Sequence, residues 1–405
     1  MSERSVFRPE DDKWMDRALE LAREGLGTTR PNPIVGAVLV KGGRVIGEGF
    51  HKRAGLPHAE REAFDSIKNA TKGGARGATM YVTLEPCCHV GRTPPCTDAL
   101  IEAGVKRVVV AIKDANPLVD GRGIARLRKA GIRVDVGCRA EQGEAQNRPF
   151  LTWIGKGRPW VTLKVASTVD GFIADWTMRS KAEPAWVTGP EARAAGHVLR
   201  AEHDAILVGA GTVMADDPRL TVRLPAKAKI RGGAAPLRVV LDGRLRVSPS
   251  SQVFRSDAAE PTRTAKAAAK ANVNPTSPSG AGQRTLVYAS SAAPAARARL
   301  LEAAGAEVIR MPGRGHRVDL ADLLQELAGR NIQSLLVEGG ADVHAAFIAA
   351  GLVDAIAVFQ APLLLGGGVP IARGTGRGLA AALRLGPIHV ERWGDDLCFR
   401  ALVVR

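Results

Sequence analysis

The sequence predicts two consecutive α/β domains. The chain has 405 residues, more than a single hydrophobic core usually serves. Hydrophobic residues make up 45% of it, which is ample material for burial. Apolar runs typical of strands alternate with helical patterns in both halves, and the alternation restarts after a break near residues 146–158. We therefore predict one domain over residues 1–148 and a second over residues 158–405.

The first domain begins with a helix and a hairpin. The segment DDKWMDRALELAREGL places apolar side chains on one helical face, namely Trp14, Met15, Ala18, Leu19 and Ala22. The runs IVGAVLV and RVIGEGF flank a Lys41-Gly42-Gly43 turn and predict a β-hairpin. The remaining elements alternate in type: a helix after Pro57, strand TMYVTL, a helix from about Pro95 to Ala103, strand RVVVAI, helix GIARLRKAG and strand IRVDVG.

The second domain opens with strand PWVTLKVAS and alternates again. Its predicted elements are helix EARAAGHVLRAEH, strands AILVGA, LRVVLD and TLVYAS, helices AAPAARARLLEAAG and LADLLQELAGR, strand SLLVEGG and a further helix. Residues 255–284 are rich in Ala, Pro, Ser and Lys with few apolar side chains. Such a composition predicts a flexible surface insertion.

Charge and composition leave the partner open. A formal net charge of +16 suits nucleic acid and equally suits phosphorylated small molecules. Aromatic residues make up only 4%, and no basic stripe is interleaved with aromatics as in single-strand binders. The first twenty residues lack an apolar signal segment, and no apolar run is long enough to span a bilayer. We therefore expect a cytoplasmic protein without a membrane partner.

Two short stretches predict a catalytic zinc site. PHAEREAF places His58 two residues before Glu60 at a predicted helix start, and LEPCCHVGRTPPC follows downstream with Cys87 and Cys96. A His-x-Glu followed by Pro-Cys and a further Cys is the arrangement of zinc deaminases. His58, Cys87 and Cys96 would supply three ligands and leave a fourth position for water, and Glu60 would carry protons as the catalytic residue. A structural zinc, or unrelated thiols, is the alternative.

The cysteine spacing separates this chain from most zinc deaminases. Enzymes acting on free cytidine or on nucleic acids typically place two residues between their cysteines, whereas eight separate Cys87 from Cys96. Cys88 is a second-choice ligand because adjacent side chains point apart. Cys138 and Cys398 stand alone in the sequence and are expected to be inert small hydrophobes.

Longer motifs in both halves resemble one family. In the first half they are TTRPNPIVGAVLV, GFHKRAGLPHAE, YVTLEPCCHVGRTPPCTDALIEAGVKRVVVA and DANPLVDGRG. In the second half they are LKVASTVDGFIA, AILVGAGTVMADDPRLTVR, LLVEGGADVHAAFI and GLVDAIAVFQAPLLLGG. They are similar to the bifunctional deaminase/reductase family of riboflavin biosynthesis. The resemblance implies a cytidine-deaminase-like three-layer α/β domain followed by a dihydrofolate-reductase-like α/β domain.

The resemblance also implies the chemistry. A zinc-dependent domain would deaminate 2,5-diamino-6-(5-phosphoribosylamino)pyrimidin-4-one by hydrolysis. An NADPH-dependent domain would then reduce the ribosyl group of 5-amino-6-(5-phosphoribosylamino)uracil to ribityl. The implied cofactors are one Zn²⁺ per chain and NADPH. The implied partners are phosphorylated pyrimidines, with no nucleic acid, and a homo-oligomer, either dimer or tetramer.

Carried over by position, the family implies three sets of binding residues. The deaminase substrate would contact Asn32, His51, His89 and Arg92. NADPH would contact Ser167, Trp186, Thr212 and Asp216, together with Gly340, Ala341, Asp342, Val343, His344, Ala345 and Ala346. The reductase substrate would contact Lys164, Asp170, Arg200, Leu220, Arg223 and Glu338, with Lys164 and Asp170 as a polar pair. VEGGADVHAAF predicts a strand, a glycine pair and a helix start suited to phosphate, although it lacks the G-x-G-x-x-G pattern.

Three positions depart from the family pattern. Pro184 and Gly243 replace residues that usually carry hydroxyl groups, and Cys88 replaces a serine.

Two alternative functions stay open. The first alternative is a nucleic-acid-editing deaminase fused to a binding module, which the positive charge favours. The second is a deaminase whose reductase half has degenerated, which Pro184 favours.

Overall fold

The computed structural model describes residues 7–67, 74–89, 94–176, 186–224, 235–255, 285–313, 315–374 and 376–404. Between Arg158 and Pro159 the described chain divides into two compact units. The predicted insertion lies outside the described residues except for Arg255, and so do Arg92 and Pro184. None of the described helices combines the length and the apolar character needed to cross a membrane.

The N-terminal unit contains a mixed sheet between two helical layers. Its helices are α1 (Pro9–Arg23), α2 (Ala59–Asp65), α3 (Cys96–Glu102), α4 (Arg122–Lys129) and α5 (Ala140–Lys156). Its strands are β1 (Gly36–Lys41), β2 (Arg44–Phe50), β3 (Thr79–Leu84), β4 (Arg107–Ile112) and β5 (Arg133–Val136). The strand order is β2-β1-β3-β4-β5, with β3, β4 and β5 parallel and β1 antiparallel to both of its neighbours.

Separate hydrophobic clusters cover the two faces of this sheet. On one face, α1 buries Met15, Ala18 and Leu19 against Val38 and Val109. On the other face, α2, α3 and α4 pack against the strand side chains that alternate with those of the first face. These include Leu39, Met80, Val82, Val108 and Val110. Because successive strand side chains point to opposite faces, both faces are apolar and the strands appear as nearly continuous hydrophobic runs. The three-layer fold predicted for this half is confirmed.

Helix α2 lies unusually close to β2. A Cβ placed on Gly49 would come within 2.4 Å of Ala63 N and 2.5 Å of Ala59 O, so only glycine permits this approach. The alternation of small residues in RVIGEGF therefore sets how near the start of α2 comes to the sheet. His58 is the residue immediately before that helix.

Helix α5 was not predicted. Its 17 residues cover most of the segment interpreted as a break near residues 146–158, because Gly143 and Pro149 interrupt the helical pattern in the sequence. Asn147 explains why the helix belongs to the N-terminal unit. Its side chain accepts from Ile34 N (3.1 Å) and donates to Ile34 O (3.1 Å).

The C-terminal unit is built on a larger sheet. Its helices are α6 (Pro190–Ala201), α7 (Ala210–Asp216), α8 (Ala295–Ala303), α9 (Leu320–Gly329) and α10 (Ala341–Ala349), with 3₁₀ turns at Gln252–Phe254 and Leu379–Ala381. Its first strands are β6 (Trp160–Thr168), β7 (Phe172–Ala174), β8 (Ala205–Gly209), β9 (Leu237–Leu241), β10 (Thr285–Ser290) and β11 (Ala306–Met311). Its later strands are β12 (Ser334–Val337), β13 (Ala355–Ala361), β14 (Val369–Pro370), β15 (Arg384–Leu385), β16 (His389–Trp393) and β17 (Asp396–Val404).

The topology of this sheet brings several strand ends together. Within the described residues the ten-stranded order is β11-β10-β9-β8-β12-β6-β13-β17-β15, with β16 paired to β17, and β7 pairs separately with β14. The strands from β11 to β13 are parallel, and β17 is antiparallel to β13. Ligands of such sheets bind at the carboxyl ends of parallel strands. Residues following β8, β12 and β6 therefore meet at one edge.

A buried ion pair joins α1 to the sheet of the N-terminal unit. The Asp11 carboxylate is 1% exposed and accepts from Arg107 Nη1 (2.6 Å) and Nη2 (3.0 Å), from Tyr81 Oη (2.8 Å) and from Arg8 N (2.9 Å). Burial alone would raise the pKa of Asp11, but the hydrogen bonds from Arg107, Arg8 and Tyr81 more than offset it and lower the pKa to about 2.

Asp11→Asn should destabilise the N-terminal unit by about 2 kcal/mol at neutral pH, because it removes the more deeply buried of the two carboxylates that pair with Arg107 and leaves that guanidinium only its bond to Asp135 (2.7 Å). Since the folded pKa lies below the ordinary value of 3.8, this contribution is complete above pH 3.8 and disappears as the pH falls toward 2. Hydrogen exchange of the β3 and β4 amides measures it. The exposed pair of Arg17 and Glu48 (2.9 Å) is the control, and Glu48→Gln should cost less than about 1 kcal/mol. Equal losses in the two variants would contradict the prediction.

Candidate functional site

Three predicted metal ligands converge in the N-terminal unit. His58 is the N-cap of α2, Cys96 is the first residue of α3, and Cys87 lies three residues after β3. His58 Nδ1 is 3.5 Å from Cys87 Sγ and 3.3 Å from Cys96 Sγ, and the three donor atoms lie within 4.8 Å of one another. Zinc in catalytic sites takes one such nitrogen and two such sulfurs at about 2.0–2.3 Å and keeps a fourth position open. The donor set fits zinc.

The two thiols differ in how readily they ionise when no metal is bound. The hydrogen bond with Cys96 lowers the pKa of Cys87, against the opposing effect of burial, and the hydrogen bond with His58 adds to it. The same bond with Cys87, together with burial, raises the pKa of Cys96. Cys96 N also donates to Cys87 Sγ (3.3 Å). The site therefore carries one thiolate readily, and a cation is needed to hold the second.

Glu60 is placed next to this cluster and away from water. Its residue is 3% exposed, and burial raises the pKa of its carboxyl group, with the charge of Cys87 adding to the effect. Cys96 hydrogen-bonds to the same carboxyl group. A carboxyl group with a raised pKa beside a metal site is suited to accept and return a proton.

Asn32 and His51 form one wall beside the metal ligands. His51 Nδ1 donates to Pro57 O (3.1 Å), so Nε2 carries the lone pair and accepts from Asn32 Nδ2 (3.0 Å). The His51 ring meets the His58 ring edge-on, with centroids 5.3 Å apart. The two predicted pyrimidine contacts are thus joined to each other.

The loop after Cys87 holds the remaining predicted contacts. Cys88 Sγ faces Leu118 O at 3.9 Å and is not among the converging donors. His89 Nδ1 is buried and has no hydrogen-bond partner in the described chain. Arg92, as noted, is not described.

Two carboxyl groups near this loop were not singled out from the sequence. Glu85, directly before Pro86 and Cys87, accepts from the backbone N–H groups of Asp114, Gly121 and Ile124 at 3.0–3.2 Å. Asp114 is 8% exposed, and burial raises its pKa to about 6. The signal was available in LEPCC and DANP, because charged residues next to strand ends often line a site.

Three charged side chains meet in the C-terminal unit. Arg200 on α6 and Glu338 after β12 form a double hydrogen bond, with Nε–Oε1 at 2.7 Å and Nη2–Oε2 at 2.8 Å. The Glu338 side chain is 8% exposed, and burial would raise its pKa, but Arg200 and Lys164 more than offset this and lower it to about 2. Burial lowers the pKa of Lys164 on β6, while Glu338 opposes that effect. The structure thus brings together three predicted substrate residues.

Arg223 and Leu220 follow α7 on the same side. Arg200 Nη1 donates to Thr221 O (3.0 Å), which ties this segment to α6. Leu220 is 2% exposed and has a φ of 53°, a left-handed conformation that is unfavourable for a branched side chain. Such strain is typical of ligand clamps. The exposed Arg223 guanidinium contacts His197.

Asp170, predicted with Lys164 as the polar pair of the reductase site, lies in the turn after β6 and has its own hydrogen-bond partners. Its carboxylate accepts from Thr168 Oγ1 (2.5 Å), Leu365 N (3.1 Å) and Gly366 N (2.7 Å). Lys164 is four residues before the end of β6, so at about 3.3 Å per residue it lies more than about 13 Å from the turn that carries Asp170. In the described structure, Asp170 orders the loop that contains Leu365 and Gly366.

Several of the predicted NADPH contacts surround the start of α10. Gly340 is the N-cap of this helix, and its N–H donates to Thr212 Oγ1 (2.9 Å) on α7. Ala341 and Asp342 occupy the first turn, whose N–H groups have no intrahelical acceptor and suit a phosphate. The remaining predicted residues of α10 continue along the helix, with Val343 and His344 buried and Ala345 and Ala346 less covered.

Unpartnered buried groups mark the same region. Ser167 Oγ at the end of β6 has no hydrogen-bond partner in the described chain. His344 Nδ1 donates to Ile371 O (2.8 Å), so Nε2 is an acceptor, and no described residue pairs with it. A polar ligand would satisfy both groups. The residues present therefore fit a dinucleotide.

The other predicted cofactor contacts lie further out. Trp186 is 62% exposed, with the Arg193 guanidinium 4.9 Å from its ring centroid, and Asp216 ends α7. Gly243 takes part in lining a cavity of about 880 Å³ beside α10. A Cβ on Gly243 would lie 1.8 Å from His316 O, so a serine has no room there unless that loop shifts.

Known proteins match both units. Residues 8–112 match the family model of the cytidine and deoxycytidylate deaminase zinc-binding region, and residues 159–399 match that of the RibD C-terminal domain. The riboflavin biosynthesis protein RibD of Aquifex aeolicus is 40% identical over 97% of this chain and 98% of its own length. The solved RibD of Acinetobacter baumannii has a TM-score of 0.81 at 36% identity, covering 98% of this chain and 99% of that one.

A second solved structure describes both activities. The diaminohydroxyphosphoribosylaminopyrimidine deaminase/5-amino-6-(5-phosphoribosylamino)uracil reductase of Thermotoga maritima has a TM-score of 0.77 at 34% identity, again over 98% of this chain. The similarity spans the predicted metal ligands of one unit and the predicted cofactor contacts of the other. The chain therefore belongs to the RibD family, the bifunctional zinc-dependent deaminases and NADPH-dependent reductases of riboflavin biosynthesis.

Proposed function

We propose that the N-terminal unit deaminates 2,5-diamino-6-(5-phosphoribosylamino)pyrimidin-4-one with His58, Cys87 and Cys96 as the zinc ligands. The convergence of these three donors within 4.8 Å is the observation that carries the assignment. Zinc, when bound, lowers the pKa of water to about 7 and so supplies a nucleophile at neutral pH. Glu60 passes one proton of the attacking water to the ring nitrogen beside the attacked carbon and then carries the proton of the resulting hydroxyl group to the amino nitrogen. That nitrogen leaves as ammonia as the ring carbon becomes a carbonyl.

Burial suits Glu60 to this role. At neutral pH a carboxyl group with its ordinary pKa is ionised and has little proton to donate. The raised pKa of Glu60 lets it keep the proton between the attack of water and the departure of ammonia. Asn32 and His51 bind the pyrimidine beside it, and the hydrogen bond between them orients the amide. We place His89 and Arg92 on the phosphoribosyl side.

For the C-terminal unit we propose reduction of C1 of the ribosyl group by NADPH bound across the start of α10. NADPH supplies the hydride. Lys164, which senses the charges of Glu338 and Arg200, donates the proton to the ribose ring oxygen as the ring opens. Arg200 is committed to Glu338, so its role is to fix that carboxylate, and Arg223 is left to bind the substrate phosphate.

We assign the deaminase to residues 1–148 and the reductase to residues 158–405, in the cytoplasm. The five cysteines, all free, suit a reducing compartment. We also infer a homo-oligomer, either dimer or tetramer, for which Leu364 (78% exposed) and Leu379 (92% exposed) offer apolar surface. Sedimentation velocity tests the oligomer. The diaminopyrimidine supplied with NADPH tests the function, because both ammonia release and NADPH oxidation must follow.

Cys96→Ser should remove most of the tightly bound zinc, because a hydroxyl group is a far weaker ligand than a thiolate. Cys88→Ser should leave about one zinc per chain, because its sulfur faces Leu118 O instead of the donor cluster. Elemental analysis of protein purified without added metal measures both. A Cys88→Ser protein that loses its zinc would show that the ligand set is wrong.

Glu60→Gln should reduce deamination by at least about 10²-fold while zinc stays bound, because the amide keeps the shape of the side chain but cannot carry a proton. Supplied with the deaminated intermediate, the same protein should oxidise NADPH at nearly the unmodified rate, since the reductase residues are different. Ammonia release and NADPH absorbance measure the two reactions separately. Unchanged ammonia release would remove Glu60 from the mechanism.

A further inference from the structure

Two contacts of the proposed reductase site fix the direction in which NADPH lies. The hydride is delivered next to Lys164 on β6, and the pyrophosphate lies at the start of α10, which follows β12. In the strand order β9-β8-β12-β6, the adenosine half of the cofactor must therefore extend away from β6, toward β8 and β9. Neighbouring strands are about 4.8 Å apart, so the end of β9 lies about 10 Å from the end of β12. That distance is within reach of the adenosine ribose.

A cavity of about 880 Å³ lies in this direction. Gly243, directly after Asp242 at the end of β9, lines the cavity together with Arg317. Asp342, on the first turn of α10, lines it as well. The cavity therefore connects the helix start that would hold the pyrophosphate with the end of β9.

The loop that carries Arg317 lies against the end of β9 because residue 243 is glycine. A Cβ on Gly243 would lie 1.8 Å from His316 O, so the backbone of the loop occupies the place of a side chain. Ser290 Oγ, at the end of β10, donates to Gly315 O (2.6 Å) and fixes the loop there. Where the family usually has a hydroxyl group, this chain therefore has a loop that carries an arginine.

The arginines that line the cavity differ in what they already bind. Arg377 Nη2 donates to Ile348 O (2.8 Å), near the C-terminal end of α10. Arg373 lies 3.8 Å from the carboxylate of Asp342. Arg317 forms no ion pair with a carboxylate in the part of the chain that the structure describes. Its guanidinium is therefore the one left for an anionic group of a ligand.

We propose that Arg317 binds the 2′-phosphate of NADPH and thereby determines the preference of the reductase for NADPH over NADH. The two cofactors differ only in that phosphate, which a guanidinium can bind through two parallel hydrogen bonds. An arginine beside the adenosine ribose is a common way to accommodate this group. The proposal rests on the proposed binding of NADPH across the start of α10 and adds the residue that recognises its phosphorylated end.

The test measures the binding of NADPH and of NADH to the full-length protein without the pyrimidine substrate, from the fluorescence of the bound nicotinamide. Arg317→Gln removes the charge and keeps a polar side chain of similar length. We expect the Kd of NADPH to rise about 10-fold and that of NADH to change less than about 2-fold. The ratio of kcat/KM with the two cofactors should shift in the same sense. Equal changes for the two cofactors, or no change for either, would overturn the proposal.

Two other arginines serve as controls. Arg246→Gln removes a half-exposed cation that follows the same strand and lies 3.8 Å from Asp242, and it should change neither Kd by more than about 2-fold. Arg373→Gln removes a cation from the opposite wall of the cavity. If Arg373→Gln discriminates NADPH from NADH and Arg317→Gln does not, the phosphate is bound on the other wall and the proposal is wrong.

Gly340→Val separates failure of this proposal from failure of the proposed function. A Cβ on Gly340 would lie 3.2 Å from Thr212 Oγ1, and valine would fill the space at the helix start where we place the pyrophosphate. The variant should weaken NADPH and NADH alike by at least about 10-fold, with thermal unfolding as the check that it folds. If it does so while Arg317→Gln does not discriminate, only the role of Arg317 is lost. If a folded Gly340→Val protein binds both cofactors normally, the dinucleotide does not bind at α10 and both assignments fail.

Discussion

The N-terminal unit depends on one constraint, the convergence of one imidazole and two thiols on a space of a few ångströms. Two thiolates in a partly buried pocket repel each other unless a cation lies between them. The close placement of these donors therefore favours the binding of zinc. The donors come from the starts of α2 and α3 and from the loop after β3, and α2 can lie here only because Gly49 allows it to pack directly on β2. Glu60 then follows on the first turn, where burial raises its pKa.

In the C-terminal unit, a buried negative charge is balanced by positively charged side chains. A buried carboxylate is costly unless it is paired, and Glu338 is paired twice, by the double hydrogen bond of Arg200 and by the nearby charge of Lys164. This pairing joins the end of β12 to α6 and to β6. Because the Arg200 guanidinium is bound to Glu338, it is not free to bind a substrate phosphate. Of these two arginines, Arg223 forms no ion pair with a carboxylate of the described chain, so we assign Arg223 to the phosphate.

Periodicity predicted most of the regular elements, and its failures have local causes. Strands TMYVTL, RVVVAI and TLVYAS were predicted with their observed bounds, because short, mostly apolar runs rich in β-branched residues and bounded by turn signals indicate buried strands. Helix α5 was missed because Gly143 and Pro149 disguise its pattern, while Asn147 holds it in place through contacts with Ile34 that lie 113 residues away in sequence. Long-range contacts of this kind leave no local pattern.

The sequence by itself determined which residue types form the candidate metal site, because a His-x-Glu and a Pro-Cys loop with a further cysteine have the spacing that this chemistry requires. Only the tertiary structure decided how the charges are shared. The Asp170 carboxylate accepts hydrogen bonds from the backbone N–H groups of Leu365 and Gly366. His316 O leaves no room for a serine side chain at position 243 unless the loop shifts, and the ring of His197 contacts Arg223. The physical reason is that hydrogen-bond partners depend on distances of a few tenths of an ångström between elements far apart in the chain, and sequence spacing does not specify those distances.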